Sequence, residues 1–159
     1  MEKSKPSLYL SGSMEHSDDP NTWRKKFYKS LHHHYKVIIP NKADLPFDKT
    51  DPEYKLWMKE KFVMPDMINV STSKYFFVKI DKGVFQGAGT ISEITTACWL
   101  GKEMIVFIDG VSETDIPSWT LGCIDGATFV DSIEEAISIL KKRAIEREKK
   151  EKRLHSRRK

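Results

Sequence analysis

The stretch Gly87-Ala88-Gly89-Thr90-Ile91-Ser92-Glu93 sets one carboxylate directly after a glycine-rich loop. An apolar run, Tyr75-Phe76-Phe77-Val78-Lys79-Ile80, precedes it, and an amphipathic run over 94–100 follows. That is the pattern of strand, loop and helix. At the carboxyl end of a parallel strand such a loop faces the crevice where open α/β sheets bind ligands. A carboxylate there can act as a nucleophile or a general base. Gly87 and Gly89 let a ligand approach the backbone closely. A structural role competes with the chemical one. Thr90-Ile91-Ser92-Glu93 also fits the capping box S/T-x-x-E, with Thr90 accepting from the Glu93 amide and Glu93 reaching back to the Thr90 amide.

A second loop of this kind is Tyr9-Leu10-Ser11-Gly12-Ser13. A strand that ends in Ser-Gly-Ser offers hydroxyls and free amides to a phosphate or a ribose hydroxyl; the alternative is a plain turn. Neither G-x-G-x-x-G nor G-x-x-x-x-G-K-[ST] occurs, so there is no dinucleotide or P-loop fingerprint. His32-His33-His34 invites a metal reading, but consecutive residues on a helix point in different directions and ligands need i, i+4 spacing. A solvated helix end is expected there, with no metal and no cofactor. Asp18-Asp19 reads as a helix start. Cys98 and Cys123 lack metal-ligand spacing, and Cys98 reads as a small core residue. A reducing cytoplasm is the simplest compartment for two such cysteines.

These loops need a scaffold. Strands are expected near 7–10, 35–39, 75–80, 104–108 and 127–130, bounded by turn residues such as Pro40. Helices are expected after Asp18-Asp19-Pro20-Asn21 through Trp23, Phe27, Tyr28 and Leu31, over 54–67 through Tyr54, Trp57, Met58 and Phe62, over 90–100, and from Ser132 onward. Pro65 must bend or restart the second of these, and Gly101 is placed to cap the third. Trp57, Phe62, Phe76 and Phe77 read as core. Strands alternating with helices imply an α/β three-layer sandwich, a five-stranded parallel sheet of Rossmann or flavodoxin-like type.

The chain has 159 residues, enough for one domain with a sizeable core. Residues 141–159 carry +8, from eleven basic and three acidic side chains, which leaves −4 for the rest of a chain whose net charge is +4. The expected organisation is therefore a domain over 1–140 and a basic helical or disordered tail over 141–159. No apolar run approaches the ~20 residues of a membrane helix. The N-terminus has no signal-peptide core.

With both loops located, residues 7–140 resemble the nucleoside 2-deoxyribosyltransferase-like superfamily, which includes deoxynucleoside 5′-monophosphate N-glycosidases. The resemblance rests on Tyr9-Leu10-Ser11-Gly12-Ser13-Met14-Glu15, Trp23-Arg24, Ile39-Pro40-Asn41, and Gly89-Thr90-Ile91-Ser92-Glu93 followed by Ala97 and Gly101-Lys102. It implies that Glu93 is the nucleophile, attacking C1′ of a deoxyribosyl group and displacing the base through an oxocarbenium-like transition state. A second base or water would then take the sugar. It further implies that Tyr9 holds the Glu93 carboxylate, that Ser11, Gly12 and Ser13 contact the sugar or a 5′-phosphate, and that Trp23 and Arg24 shape that wall. Gly87, Gly89 and Thr90 would line the same site. Many members carry an aspartate shortly before the Gly-Thr pair. Here Gln86 and Gly87 stand there, the nearest upstream acid is Asp81, and Asp66 contributes only if its helix end reaches the site. The resemblance also implies a homo-oligomer with a small nucleoside or nucleotide substrate.

Two other functions compete. One is a nucleotide-binding module in which Glu93 only caps a helix. The other is a nucleic-acid-associated protein in which 141–159 makes weak, salt-sensitive phosphate contacts.

Overall fold

The computed structural model describes residues 5–40 and 48–156. Asn41 and Pro46 lie outside the described residues, as do the last three residues of the chain. Five strands form one sheet: β1 (Ser7–Gly12), β2 (Lys36–Ile38), β3 (Tyr75–Ile80), β4 (Glu103–Ile108) and β5 (Thr128–Val130). Their order is β2-β1-β3-β4-β5, and every pairing is parallel. Parallel strands need crossovers, and here helices supply them on both faces, which explains the near-continuous apolar sequence of β3.

Side-chain alternation splits the sheet into two cores. On one face Leu8, Leu10 and Phe77 share a core with Trp23, Phe27 and Leu31 of α1 (Thr22–Leu31) and with Ala136 and Leu140 of α6 (Ile133–Ser156). On the other, Tyr9, Phe76 and Val78 share a core with Val70 of α3 (Met64–Thr72), Ile94 and Ala97 of α4 (Gly89–Trp99), and Ile124 of α5 (Ser118–Ile124). A fully buried Leu or Phe of this kind contributes about 1.5–3 kcal/mol. The result is the expected three-layer α/β sandwich. The crossover from β1 leads to β2 on one side and that from β3 to β4 on the other, so the order in which strands are added reverses between β1 and β3.

The helix expected over 54–67 runs further and changes pitch. α2 (Tyr54–Met58) widens into a π turn over Lys59–Val63 before α3 resumes with Pro65 in its first turn. Proline lacks the N–H that a continuous α-helix would use, and the wider turn carries the chain past it. Trp57 and Phe62 are half-buried and meet edge-on at 5.2 Å, on the flank of the core and not inside it. At the end of α4, Gly101 adopts φ +61°. Its N–H donates to the Cys98 carbonyl at 3.0 Å and the Lys102 N–H donates to Ala97 at 2.9 Å. That is a Schellman cap, as the glycine predicts. Cys98 corrects the sequence reading, because it is exposed and Cys123 is the buried cysteine. The short α5 was not anticipated at all.

α6 runs without a break from Ile133 to Ser156, and its packing extends past residue 140. Ala144 is fully buried, the Tyr35 hydroxyl donates to the Leu140 carbonyl at 2.8 Å, and the Arg147 guanidinium donates to the His34 carbonyl at 3.2 Å. The histidine run follows α1, and two of its members have separate partners. His32 Nδ1 lies 2.9 Å from the Tyr28 carbonyl and His34 Nδ1 lies 3.0 Å from Glu148. Among the described residues no helix is long and apolar enough to cross a membrane.

Candidate active site

The strand order reverses between β1 and β3, and in sheets of this order ligands bind at the carboxyl ends of the strands flanking such a switch. β1 sends Tyr9 and Ser11 toward the face covered by α3 and α4. Glu93, in the first turns of α4, meets them. The Tyr9 hydroxyl donates to Glu93 Oε1 at 2.7 Å, and the Ser11 hydroxyl donates to Oε2. Both bonds are buried and join residues more than eighty positions apart.

This geometry separates the two roles that the sequence leaves open for Glu93. α4 starts at Gly89 after Ala88 and has no side-chain cap. The Glu93 carboxylate turns away from the helix start and toward β1. Thr90 is buried within the first turn of the helix.

The site's electrostatics follow from burial. Loss of water is the main cause that pushes Glu93 up to about 7; the hydroxyls of Ser11 and Tyr9 oppose it, Asp66 adds to it, and Arg24 opposes it. Burial also lifts Asp66 to about 6, with Tyr9 pulling the other way. The Tyr9 phenol is driven far above its ordinary range by burial and then by the Glu93 charge, so it stays a donor. Asp66, in the first turn of α3, lies near enough to act on both Tyr9 and Glu93. The π turn ahead of it is the local feature that sets where that turn starts. Two carboxyls in one desolvated crevice raise each other's cost of ionisation.

Arg24 has a different place from that expected of a substrate wall. It is 1 % exposed. Its guanidinium donates to the carbonyls of Leu10 at 3.5 Å, Gly12 at 2.9 Å and Pro20, and lies over the Trp23 ring at 4.2 Å. It ties the end of β1 to the start of α1. Burial lowers its pKa to about 10, so it stays charged at neutral pH. A Cβ on Gly12 would stand 3.1 Å from Trp23 and 3.2 Å from Arg24, which is why the strand ends in glycine.

The remaining loop residues hold one another. Ser13 is buried and its hydroxyl accepts from the His16 N–H at 3.2 Å. Asp81 accepts from the Gly83 N–H at 3.0 Å and from Ser17 at 3.1 Å, and stands 3.5 Å from Lys79. Lys79 in turn pairs with Asp109 at 2.9 Å. Asp81 is thus a clamp on the loop after β1. The loop lies so close that a Cβ on Gly83 would overlap the His16 carbonyl. Gly83→Ala must displace backbone. We expect it to cost about 1–3 kcal/mol, read as a lower melting temperature, with a matching loss of any ligand binding at the crevice.

Gly87 and Gly89 are exposed. A Cβ on Gly89 would meet nothing within 4 Å, and one on Gly87 only the His16 ring at 3.6 Å. The protein's own packing does not require glycine at Gly89, and the space beside it is open. His16 was not singled out by the sequence, since no motif marks it. Only the fold carries it to the Gly87 loop.

No protein-family model matches the chain, and no curated protein matches it by sequence. Solved structures do match its fold. A conserved protein from Enterococcus faecalis V583 is 17% identical with a TM-score of 0.64, over 88% of this chain and 99% of that one. BcmB, a CMP N-glycosidase from Clostridium botulinum, is 12% identical with a TM-score of 0.51, over 86% of this chain and 99% of that one. The fold is shared with an N-glycosidase. At these identities the likeness is one of architecture.

Proposed function

We propose that this protein cleaves the N-glycosidic bond of a nucleoside or nucleoside 5′-monophosphate, with Glu93 as nucleophile. The observation that carries this is the Glu93 carboxylate held by Tyr9 and Ser11 of β1 and taking no part in capping α4. The fold shared with a CMP N-glycosidase supports the substrate class.

In this mechanism an ionised Glu93 oxygen attacks C1′ as the C1′–N bond breaks. The bonding electrons leave with the base, which takes a proton from Asp66. Tyr9 and Ser11 fix the carboxylate so that one lone pair faces the sugar, which lowers the entropic barrier. Water then attacks C1′ of the glycosyl ester, gives its proton to Asp66, and releases Glu93. A free base in place of water would make the reaction a transfer.

The test is chromatographic. The protein is incubated with ribo- and deoxyribonucleosides and their 5′-monophosphates, with and without a free acceptor base. Released base supports the reading, and acceptor dependence separates transfer from hydrolysis. Ligand binding with no turnover on any substrate would instead make the chain a nucleotide-binding module.

The two carboxyls fix the pH dependence. Glu93, with its pKa near 7, must be ionised, so toward low pH the rate falls with the shrinking ionised fraction. Asp66, with its pKa near 6, must be protonated, so toward high pH the rate falls with the shrinking protonated fraction. The expected profile is a narrow bell with its maximum between these values, its two apparent constants belonging to the pair. Asp66→Asn should remove the alkaline limb and lower the maximum by roughly a hundredfold. Tyr9→Phe removes a hydroxyl that favours the ionised carboxylate, so the maximum rate should fall.

A further inference from the structure

A pair of thiols lies at the opposite end of the sheet from Glu93. Cys98 stands in the last turn of α4, and Cys123 stands in α5, which packs against α4. Both side chains line one cavity at the amino-terminal ends of β4 and β5, together with Lys102, Met104 and Arg143. Cys98 is exposed to solvent, whereas Cys123 is 8% exposed and belongs to the core. Partial desolvation and then the neighbouring Cys123 thiol push the Cys98 thiol up, in keeping with two thiols that share one cavity wall. Their wide separation in sequence hides this pairing; the α4–α5 contact makes it. An exposed thiol backed by a buried one is the arrangement of an attacking and a resolving cysteine.

We propose that Cys98 and Cys123 form an oxidisable dithiol that closes to an intramolecular disulfide by exchange with a small-molecule disulfide. The Cys98 thiolate attacks one sulfur of the small disulfide. A mixed disulfide forms and one small thiol leaves. The Cys123 thiolate then attacks the Cys98 sulfur and displaces the second small thiol. The protein gives up two electrons and two protons, and the small disulfide takes both as two thiols. The bond joins the helix that carries Glu93 to α5.

The test uses the full chain and oxidised glutathione, followed by alkylation under denaturing conditions and intact-mass measurement. The expected product has no alkylatable thiol, a mass lower by two hydrogens, no retained glutathione, and reverts with dithiothreitol. Cys123→Ser should keep one glutathione, on Cys98, because nothing resolves it. Cys98→Ser should remain unmodified while folded. A wild type that retains glutathione on Cys98 with Cys123 still alkylatable would overturn the proposal. So would a wild type that keeps both thiols under conditions that modify Cys123→Ser. Neither readout depends on the glycosidic chemistry.

Discussion

Glu93→Gln should abolish base release and at the same time raise the melting temperature at pH 8. The loss of activity should be roughly a thousandfold or more, because the variant lacks the attacking oxygen. The gain in stability follows from linkage. Burial raises the folded-state pKa of Glu93 from 4.5 to about 7. An acid raised in this way binds its proton more tightly in the folded state than in the unfolded one. Its ionisation therefore opposes folding: the penalty is absent below about 4.5, grows through the window up to about 7, and is constant above it. At pH 8 it amounts to about 3 kcal/mol. Glutamine carries no charge and can still accept from one hydroxyl and donate to the other, so the variant escapes the penalty. Thermal melts of both proteins at pH 8 and at pH 4.5 check this. The variant should melt several degrees higher at pH 8, and the difference should close at pH 4.5. A variant that melts lower at both pH values would mean that Glu93 serves the fold and not a reaction.

Arg24 is the opposite case, a charged residue that sustains the fold. Arg24→Met leaves the carbonyls of Leu10, Gly12 and Pro20 without their donor and removes the guanidinium from the Trp23 ring. Each buried carbonyl left unpaired costs about 1–3 kcal/mol. We expect a loss on the order of 4 kcal/mol and a melting temperature about 10 °C lower. Arg24→Lys keeps the charge but cannot span three carbonyls from one ammonium, so it should recover only part of the loss. The variants should also shift chemistry. Arg24 is one of the groups that favour ionised Glu93, so in Arg24→Met the form with ionised Glu93 and protonated Asp66 becomes rarer and the maximum rate should fall. A melting temperature unchanged in Arg24→Met would contradict the placement of Arg24 as the tie between β1 and α1.

Much of this architecture was legible in the residues. The apolar runs of β1, β3 and β4 are long, and their alternation with helix-period segments admits little besides a parallel sheet with helices on both faces. Gly101 marked the end of α4 because only the left-handed conformation suits that cap. Glu93 was legible as a site candidate because it follows a strand-end loop, and Tyr9 through the family resemblance. What was not legible is long-range. α5 is seven residues long, contains Gly122, and owes its helicity to packing on α4. Thr90-Ile91-Ser92-Glu93 fits a cap locally, but the two hydroxyls of β1 outbid the backbone amides once the sheet is assembled. The position of Asp66 near Tyr9 and Glu93 depends on the π turn over Lys59–Val63, which no sequence pattern marks. Arg24 reads as a ligand-facing cation in a one-dimensional pattern, and three carbonyls of its own chain claim it in the fold. Cys98 reads as core from its apolar neighbours, yet it falls on the outward side of α4.

The most direct test of the central claim is to trap the glycosyl ester. The protein would be mixed with whichever nucleoside or nucleotide it turns over, quenched in acid within the first turnovers, digested, and mapped by mass. The expected product is a peptide containing Glu93 that carries the sugar of the substrate, absent from Glu93→Gln and lost on brief treatment with base, as an ester should be. Base release that persists in Glu93→Gln, with no sugar on any peptide, would contradict it.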